Sequence, residues 1–373
     1  MIDQTIGRRI RALRVASRMS QADVAQILSL NDRQSVSQIE AGQRRLKADE
    51  LIKIVERFEV SLEQLTNPFL LFEKESFSWR QHHVPSDALD AYEAKAGEWI
   101  GAYRELNRLG DGRLPVIMPR LGLTHTSQFE DAVAAGEAVA AELELGSAPA
   151  HRLAEVMEQR YGILVLMVDA IQGVSGAACR LPELNAVLIN RHESEARRNY
   201  DLAHEFFHIL TWDTMKPERV ESSEVDSAEQ PRTQSGKRNQ RIERLADNFA
   251  SGLLMPGDAL EKLGEPQGDL DVWLAAAAAE LGVSGLALKW RLVNSRRYPA
   301  AAKVQNDVLT RTARDRGPEE PPPLFSGPFV RTIVAAIEAG HLSSRRAASL
   351  LDMTAEDLGD LCETFGIDRP AEL

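Results

Sequence analysis

The sequence predicts a multidomain chain: an all-α N-terminal module, a central α+β domain and a helical C-terminal tail. Three observations carry this reading. Residues 1–66 are a run of short amphipathic helical patterns separated by tight turns. Between about residues 150 and 255, a helical pattern gives way to three short extended runs, then to two further helices. Beyond residue 298 the periodicity is helical only, broken by a Gly/Glu/Pro-rich linker at 314–323. The expected divisions are therefore 1–66, a helical linker region 67–125, a central domain 126–297 and a C-terminal region 298–373. At 373 residues the chain exceeds one typical core.

In the first module, Gly7–Ala16 puts Ile10 and Leu13 on one helical face. Ser20 and Asp23 form a capping box that opens a helix through Leu28. A turn at Ser29–Asp32 precedes a helix that ends before Gly42, and Lys47–Phe58 follows. Val60–Leu65 closes the module before the stop signal Asn67-Pro68. A helical stretch lies near Asp87–Leu109, and Phe69, Phe72, Phe77 and Trp79 read as packing aromatics. Gly110–Pro119 is turn-rich. Helices are expected at Gln128–Leu143 and Ala150–Gly162, and extended runs at Ile163–Val168, Val174–Arg180 and Ala186–Asn190. The brief third run suits an edge strand, along which an extended substrate peptide would add. Helices follow from Ser194 to Trp212 and from Asn239 to Met255, with a polar loop, 213–238, between them.

Composition narrows the function classes. Hydrophobic content of 43% and charged content of 27% describe an ordinary globular protein. No apolar run approaches the roughly 20 residues that span a bilayer, so no membrane partner is expected. Met1–Arg14 alternates charge with apolar residues, unlike a secretory signal. Two cysteines, Cys179 and Cys362, make no disulfide framework, and a cytoplasmic location is expected. The net charge is −12, yet residues 1–66 carry 11 Lys/Arg against 9 Asp/Glu. A slightly basic end on an acidic body suits local contact with double-stranded DNA through residues 1–66.

The strongest motif is His204-Glu-Phe-Phe-His208. Residues four apart on a helix lie about 6 Å apart along its axis on one face, so two imidazoles can converge on one ion. Glu205 sits about 100° round the helix, placed to act as general base towards a metal-held water without being a ligand. Leu202, Ala203, Phe206, Ile209 and Leu210 supply the buried face. A catalytic zinc takes three protein ligands and keeps a fourth position open. The third is expected from the helix around Glu243, with Asp247 one turn on to orient an imidazole. Glu221, Glu224 and Asp213 compete for that place, but they fall in the polar loop, where rigid ligation is harder. One zinc ion per chain follows. Cys179 is a candidate switch ligand, because a thiolate binds zinc strongly. Tyr200, Tyr161, Arg191 and His192 are open choices for the oxyanion stabiliser.

Residues from about Ala150 to Arg296 resemble the ImmA/IrrE metallopeptidases. The resemblance lies in Leu202-Ala-His-Glu-Phe-Phe-His208 with Arg197–Arg198 before it, and in Glu243-Arg-Leu-Ala-Asp-Asn-Phe-Ala250 followed by Leu253-Leu-Met-Pro256. It implies a gluzincin-like zinc endopeptidase that cleaves a cognate helix-turn-helix repressor under stress or DNA damage. Two departures stand out. Phe207 replaces the usual glycine and is expected to narrow the cleft, and the interval from His208 to Glu243 is long.

Residues 5–66 resemble the Xre/Cro-type helix-turn-helix family through Ser20-Gln-Ala-Asp-Val-Ala25, Val36-Ser-Gln-Ile-Glu-Ala-Gly42 and Val60-Ser-Leu-Glu-Gln-Leu65. The second helix then offers Arg33, Gln34, Ser35, Ser37 and Gln38 to a major groove, while Gln21, Arg44 and Arg45 hold phosphates. Such readers usually bind two half-sites as homodimers. The competing reading is a transcriptional regulator whose zinc domain is a non-catalytic sensor.

Overall fold

A computed structural model describes residues 2–71, 77–110, 118–221, 234–266, 268–314 and 319–371. The chain divides into two compact units, Met1–Lys74 with Asp90–Leu109, and Glu75–Leu89 with Gly110–Leu373.

The first unit holds α1 (Ile2–Ala16), α2 (Gln21–Ile27), α3 (Arg33–Glu40), α4 (Ala48–Phe58) and α5 (Leu62–Thr66). The capping box forms as read: the Asp23 N–H donates to Ser20 Oγ at 3.2 Å, and the Ser20 N–H to Asp23 Oδ2 at 2.7 Å. Asp32 ends the turn by accepting from the Ser35 N–H at 2.7 Å. Ile10, Val24, Val36, Ile39, Ile54 and Leu65 form the core. Glu40 is buried and is held by Arg14 (2.6 Å) and Gln21 (2.8 Å), which ties α1 and α2 to α3.

The second unit is built on a four-stranded sheet, ordered β1 (Phe77–Gln81), β3 (Val174–Arg180), β4 (Asn185–Asn190), β2 (Leu164–Val168). β1 runs antiparallel to β3, pairing Trp79 with Ala177, and β3 antiparallel to β4. β4 runs parallel to β2. Two expectations are corrected here. Ala186–Asn190 is an interior strand, paired on both sides, so it has no free edge for a peptide. Its unbroken buried run, Ala186–Ile189, is the mark of a strand covered on both faces, and brevity alone does not place a strand at an edge. Residues 77–81, read as part of a linker, form the edge strand instead.

α6 (Ser86–Leu109), α7 (Phe129–Glu142) and α8 (Ala150–Tyr161) come before β2. α9 (Glu195–Thr211), capped by Ser194, lies against β3 and β4. α10 (Gln234–Leu254) packs along α7 and α9. A Cβ added at Gly136 would sit 2.2 Å from the Phe249 carbonyl oxygen, and one at Gly252 2.1 Å from that of Val133. Glycine at both positions lets α7 and α10 touch backbone to backbone. α10 begins inside the stretch read as a loop, and 219–221 of that stretch are extended against β1.

α11 (Gly257–Lys262), α12 (Leu270–Glu280), α13 (Gly285–Asn294) and α14 (Asn306–Arg314) follow, and Leu309 joins the same core as α9 and α10. Phe325 forms one antiparallel rung with Met167 on the outer edge of β2. α15 (Gly327–Glu338), α16 (Ser344–Leu350) and α17 (Ala355–Thr364) complete the fold. No single helix among the described residues is long and apolar enough to cross a membrane.

Candidate metal centre

α9 brings His204 and His208 one turn apart, with their Nε2 atoms 3.1 Å from each other. Glu243 enters from α10, its Oε2 3.2 Å from His204 Nε2 and 3.4 Å from His208 Nε2. A fourth donor arrives from the stretch between the helices. Glu221 Oε2 lies 3.5 Å from His204 Nε2, and its Oε1 lies 3.7 Å from His208 Nε2. An ion with bonds of about 2.0–2.1 Å in a tetrahedral site separates its ligands by about 3.3–3.4 Å. All five separations scatter around that value, so the side chains fit one small divalent cation.

Charge supports the fit. Glu205, Glu221, Glu243 and Asp201 are all buried, with Asp247 beside them. Arg80 and Arg197 compensate only part of that negative charge. Buried carboxylates are tolerated when paired or metal-bound. Burial pushes the Glu243 carboxyl upward, but His208 and His204 more than reverse this, and the group is held well below the ordinary carboxylate range. Asp247 stays low for a similar reason: burial raises it, and its bond to His204 overcomes the rise.

The His204 Nδ1–H donates to Asp247 Oδ1 at 2.9 Å, which leaves Nε2 as the lone-pair atom facing the cluster. Glu205 is fully buried, and neither carboxylate oxygen makes a hydrogen bond among the described residues. Burial first, then the neighbouring Glu221 charge, raise its pKa well above that of an ordinary carboxyl. Gly176 of β3 lies behind it: a Cβ there would approach the Leu188 carbonyl oxygen at 2.8 Å and Glu205 Oε1 at 3.8 Å.

Arg80 is a site residue that sequence reasoning missed. Its Nε is 3.2 Å from Asp201 Oδ1 and its Nη2 3.8 Å from Asp247 Oδ1. The available signal was Phe77-Ser-Trp79-Arg80, a short alternation between aromatic and polar residues, obscured by its brevity. Arg80, Tyr200, His204, Glu221, Ser284 and Trp290 help to line a cleft of 790 Å³ over the donors.

Other expected participants go elsewhere. Cys179 pairs in register with Phe77 and Ala186. By strand alternation it faces away from the side on which Gly176 meets Glu205, so the thiol is not brought to the cluster. Asp213 pairs with Arg180 at 3.0 Å, and Glu224 lies outside the described residues. Arg191 and His192 both bind Asp169, and Tyr161 packs against Phe206. Tyr200 alone of the four oxyanion choices lines the cleft, its hydroxyl donating to the Asp247 carbonyl at 3.2 Å. Phe207 does not narrow the cleft: its ring is fully buried in the core, 5.5 Å between centroids from Phe249.

In the first unit, α3 presents Arg33, Gln34, Ser37 and Gln38 to solvent, while Ser35 is half-buried at the Asp32 cap. Arg45 is exposed. Two expected phosphate contacts are already engaged: Gln21 bonds Glu40, and Arg44 forms a two-point pair with buried Glu50 at 2.7 and 3.1 Å.

Fold and site together define a class, a DNA-binding helix-turn-helix module joined to a domain of metallopeptidase kind. Residues 10–65 match the family model of a helix-turn-helix, and residues 158–293 match that of the IrrE N-terminal-like domain of the M78 peptidases. No curated protein matches the chain. Among solved structures, PlcR of Bacillus thuringiensis in complex with the peptide PapR7 and DNA is 11% identical, with 97% of each chain covered and a TM-score of 0.17. The apo form of the competence regulator ComR from Streptococcus vestibularis is 10% identical, covering 98% of this chain and 100% of that one, also at a TM-score of 0.17. Superpositions that loose carry no argument about this chain.

Proposed function

We propose that the chain is a zinc-dependent endopeptidase fused to a DNA-binding module, with a helix-turn-helix repressor as its protein substrate. The observation that supports this most is an ion-sized set of buried donors with an unbonded carboxylate, Glu205, set beside it. His204, His208 and Glu243 are the residues that would hold zinc, and Asp247 keeps His204 in the ligating tautomer. Zinc bound there would polarise a peptide carbonyl and acidify a water. Glu205, whose carboxylate oxygens make no hydrogen bond among the described residues, would take the proton from that water and pass it to the leaving amine. The substrate class rests on the resemblance to the ImmA/IrrE peptidases and on the N-terminal module. The HTH module would bind DNA as a homodimer.

Glu205→Gln should retain the metal and lose about 10²–10⁴-fold in cleavage of a helix-turn-helix repressor substrate. Gel analysis of that repressor, with metal content measured in parallel, reads the result. Equal cleavage by parent and variant would remove Glu205 from the chemistry. One observation favours a second reading, a zinc-holding sensor without turnover: four protein donors, not three, converge on the centre.

A further inference from the structure

The fourth donor comes from an unusual place. Residues 219–221 form a single parallel rung on the outer edge of β1. The Trp79 N–H donates to the Arg219 carbonyl at 2.8 Å, and the Glu221 N–H donates to the Trp79 carbonyl at 3.0 Å. The buried Ser78 hydroxyl donates to the Glu218 carbonyl at 2.8 Å and lies 3.3 Å from Glu221 Oε1. The segment is thus moored to the strand, and its last residue points a carboxylate at His204 and His208.

We propose that Glu221 is a displaceable fourth ligand, and that residues 218–221 hold the site shut by occupying the strand edge along which a substrate peptide must lie. The proposal rests on the peptidase reading and adds its regulation. Four physical arguments carry it. Trp79 has one N–H and one C=O on that edge, and both are spent on 219–221, so an added peptide strand competes for the same two groups. The opposite edge of the sheet belongs to β2, on the far side of β3 and β4. His204, His208 and Glu243 ride on two packed helices, whereas Glu221 sits on irregular backbone held by one rung and the Ser78 hydroxyl. Its contacts with the imidazoles, 3.5 and 3.7 Å, are also longer than those of Glu243, 3.2 and 3.4 Å. Withdrawal of Glu221 therefore leaves three donors and both helices in place. It also lifts the negative charge that faces Glu205.

The test uses the full chain loaded with cobalt(II), titrated with acetohydroxamate and followed by visible absorption, alongside chelator competition for metal affinity. Glu221→Ala should bind the hydroxamate at least about tenfold more tightly than the parent, as expected when the competent state is a minor one. It should keep its metal far better than Glu243→Ala. Ser78→Ala leaves the carboxylate and the Trp79 rung but removes the hydroxyl's bonds to Glu218 and Glu221, and should fall between parent and Glu221→Ala; thermal melts establish that each variant is folded. Equal hydroxamate affinity in all three proteins overturns the proposal. So does loss of metal from Glu221→Ala as complete as from Glu243→Ala, which would make Glu221 a constitutive ligand of a closed site. The peptidase reading fails differently: hydroxamate binds more tightly to Glu221→Ala, yet no variant cuts the repressor.

Discussion

At the scale of single residues, the same side chain does different work according to its backbone. Glu221 and Glu243 are equally buried glutamates that face the same two imidazoles, yet Glu243 stands on a helix with neighbours on two sides and Glu221 on a tethered irregular segment. Asp247 illustrates action through another residue. Its carboxylate takes the Nδ1–H of His204 at 2.9 Å, with Arg80 further off at 3.8 Å, so it acts on the centre through that ring. Asp247→Ala is expected to weaken metal binding about 10–100-fold with little change in secondary structure. Chelator competition with circular dichroism checks this, and an unchanged affinity would free His204 from its supposed partner. His204, Glu205 and His208 were readable in the chain because they obey helical spacing, and Glu243 because a second helix carries it one turn from Asp247. Arg80 was not, because its role comes from a strand of five residues that has no strong period.

At the scale of elements, close approach of α7 and α10 places the second half of the site. Gly252 has the Val133 carbonyl where a Cβ would go, and a backbone oxygen cannot swing aside as a long side chain can. Gly252→Ala should therefore cost about 1–3 kcal/mol in stability, the usual penalty of overpacking. It should also weaken metal binding, since Glu243 and Asp247 travel with α10. Gly122→Ala, where nothing lies within 4 Å of the added carbon, is the matched control and should be neutral. Urea denaturation compares the two, and equal stabilities would show that α10 has slack. The sheet teaches a related lesson. β4 was legible as a strand but not as an interior one, because hydrogen-bond partners on either side leave no trace in the order of its own residues.

At the scale of the whole molecule, the chain joins a nearly balanced DNA module to an acidic remainder, which concentrates attraction for phosphate in the first unit. Residues on the exposed face of α3 should then control DNA affinity without touching the metal. Gln38→Ala or Arg33→Ala should reduce operator binding by about 1–3 kcal/mol and leave metal content unchanged. Arg44→Ala should behave otherwise. Its guanidinium neutralises buried Glu50, so the larger effect should be a lower melting temperature and the smaller one weaker DNA binding. Fluorescence anisotropy with an operator duplex and thermal melts separate these outcomes; identical profiles for Arg44 and Gln38 variants would mean that the pair with Glu50 is incidental.

What the amino-acid order determined by itself was whatever repeats along one element: the helices of the first module, the ligand face of α9, the carboxylates of α10 and the three extended runs. Each is set by contacts a few residues apart, and these write a period into the sequence. Only the tertiary structure decided what depends on residues distant in the chain. It put β1 at the edge, Arg80 beside Asp201, Phe207 in the core, Cys179 on the far face of the sheet and Glu221 at the metal centre. Strand pairing and charge burial join positions more than a hundred residues apart, as between Ser78 and Glu221, and no local pattern encodes such a meeting.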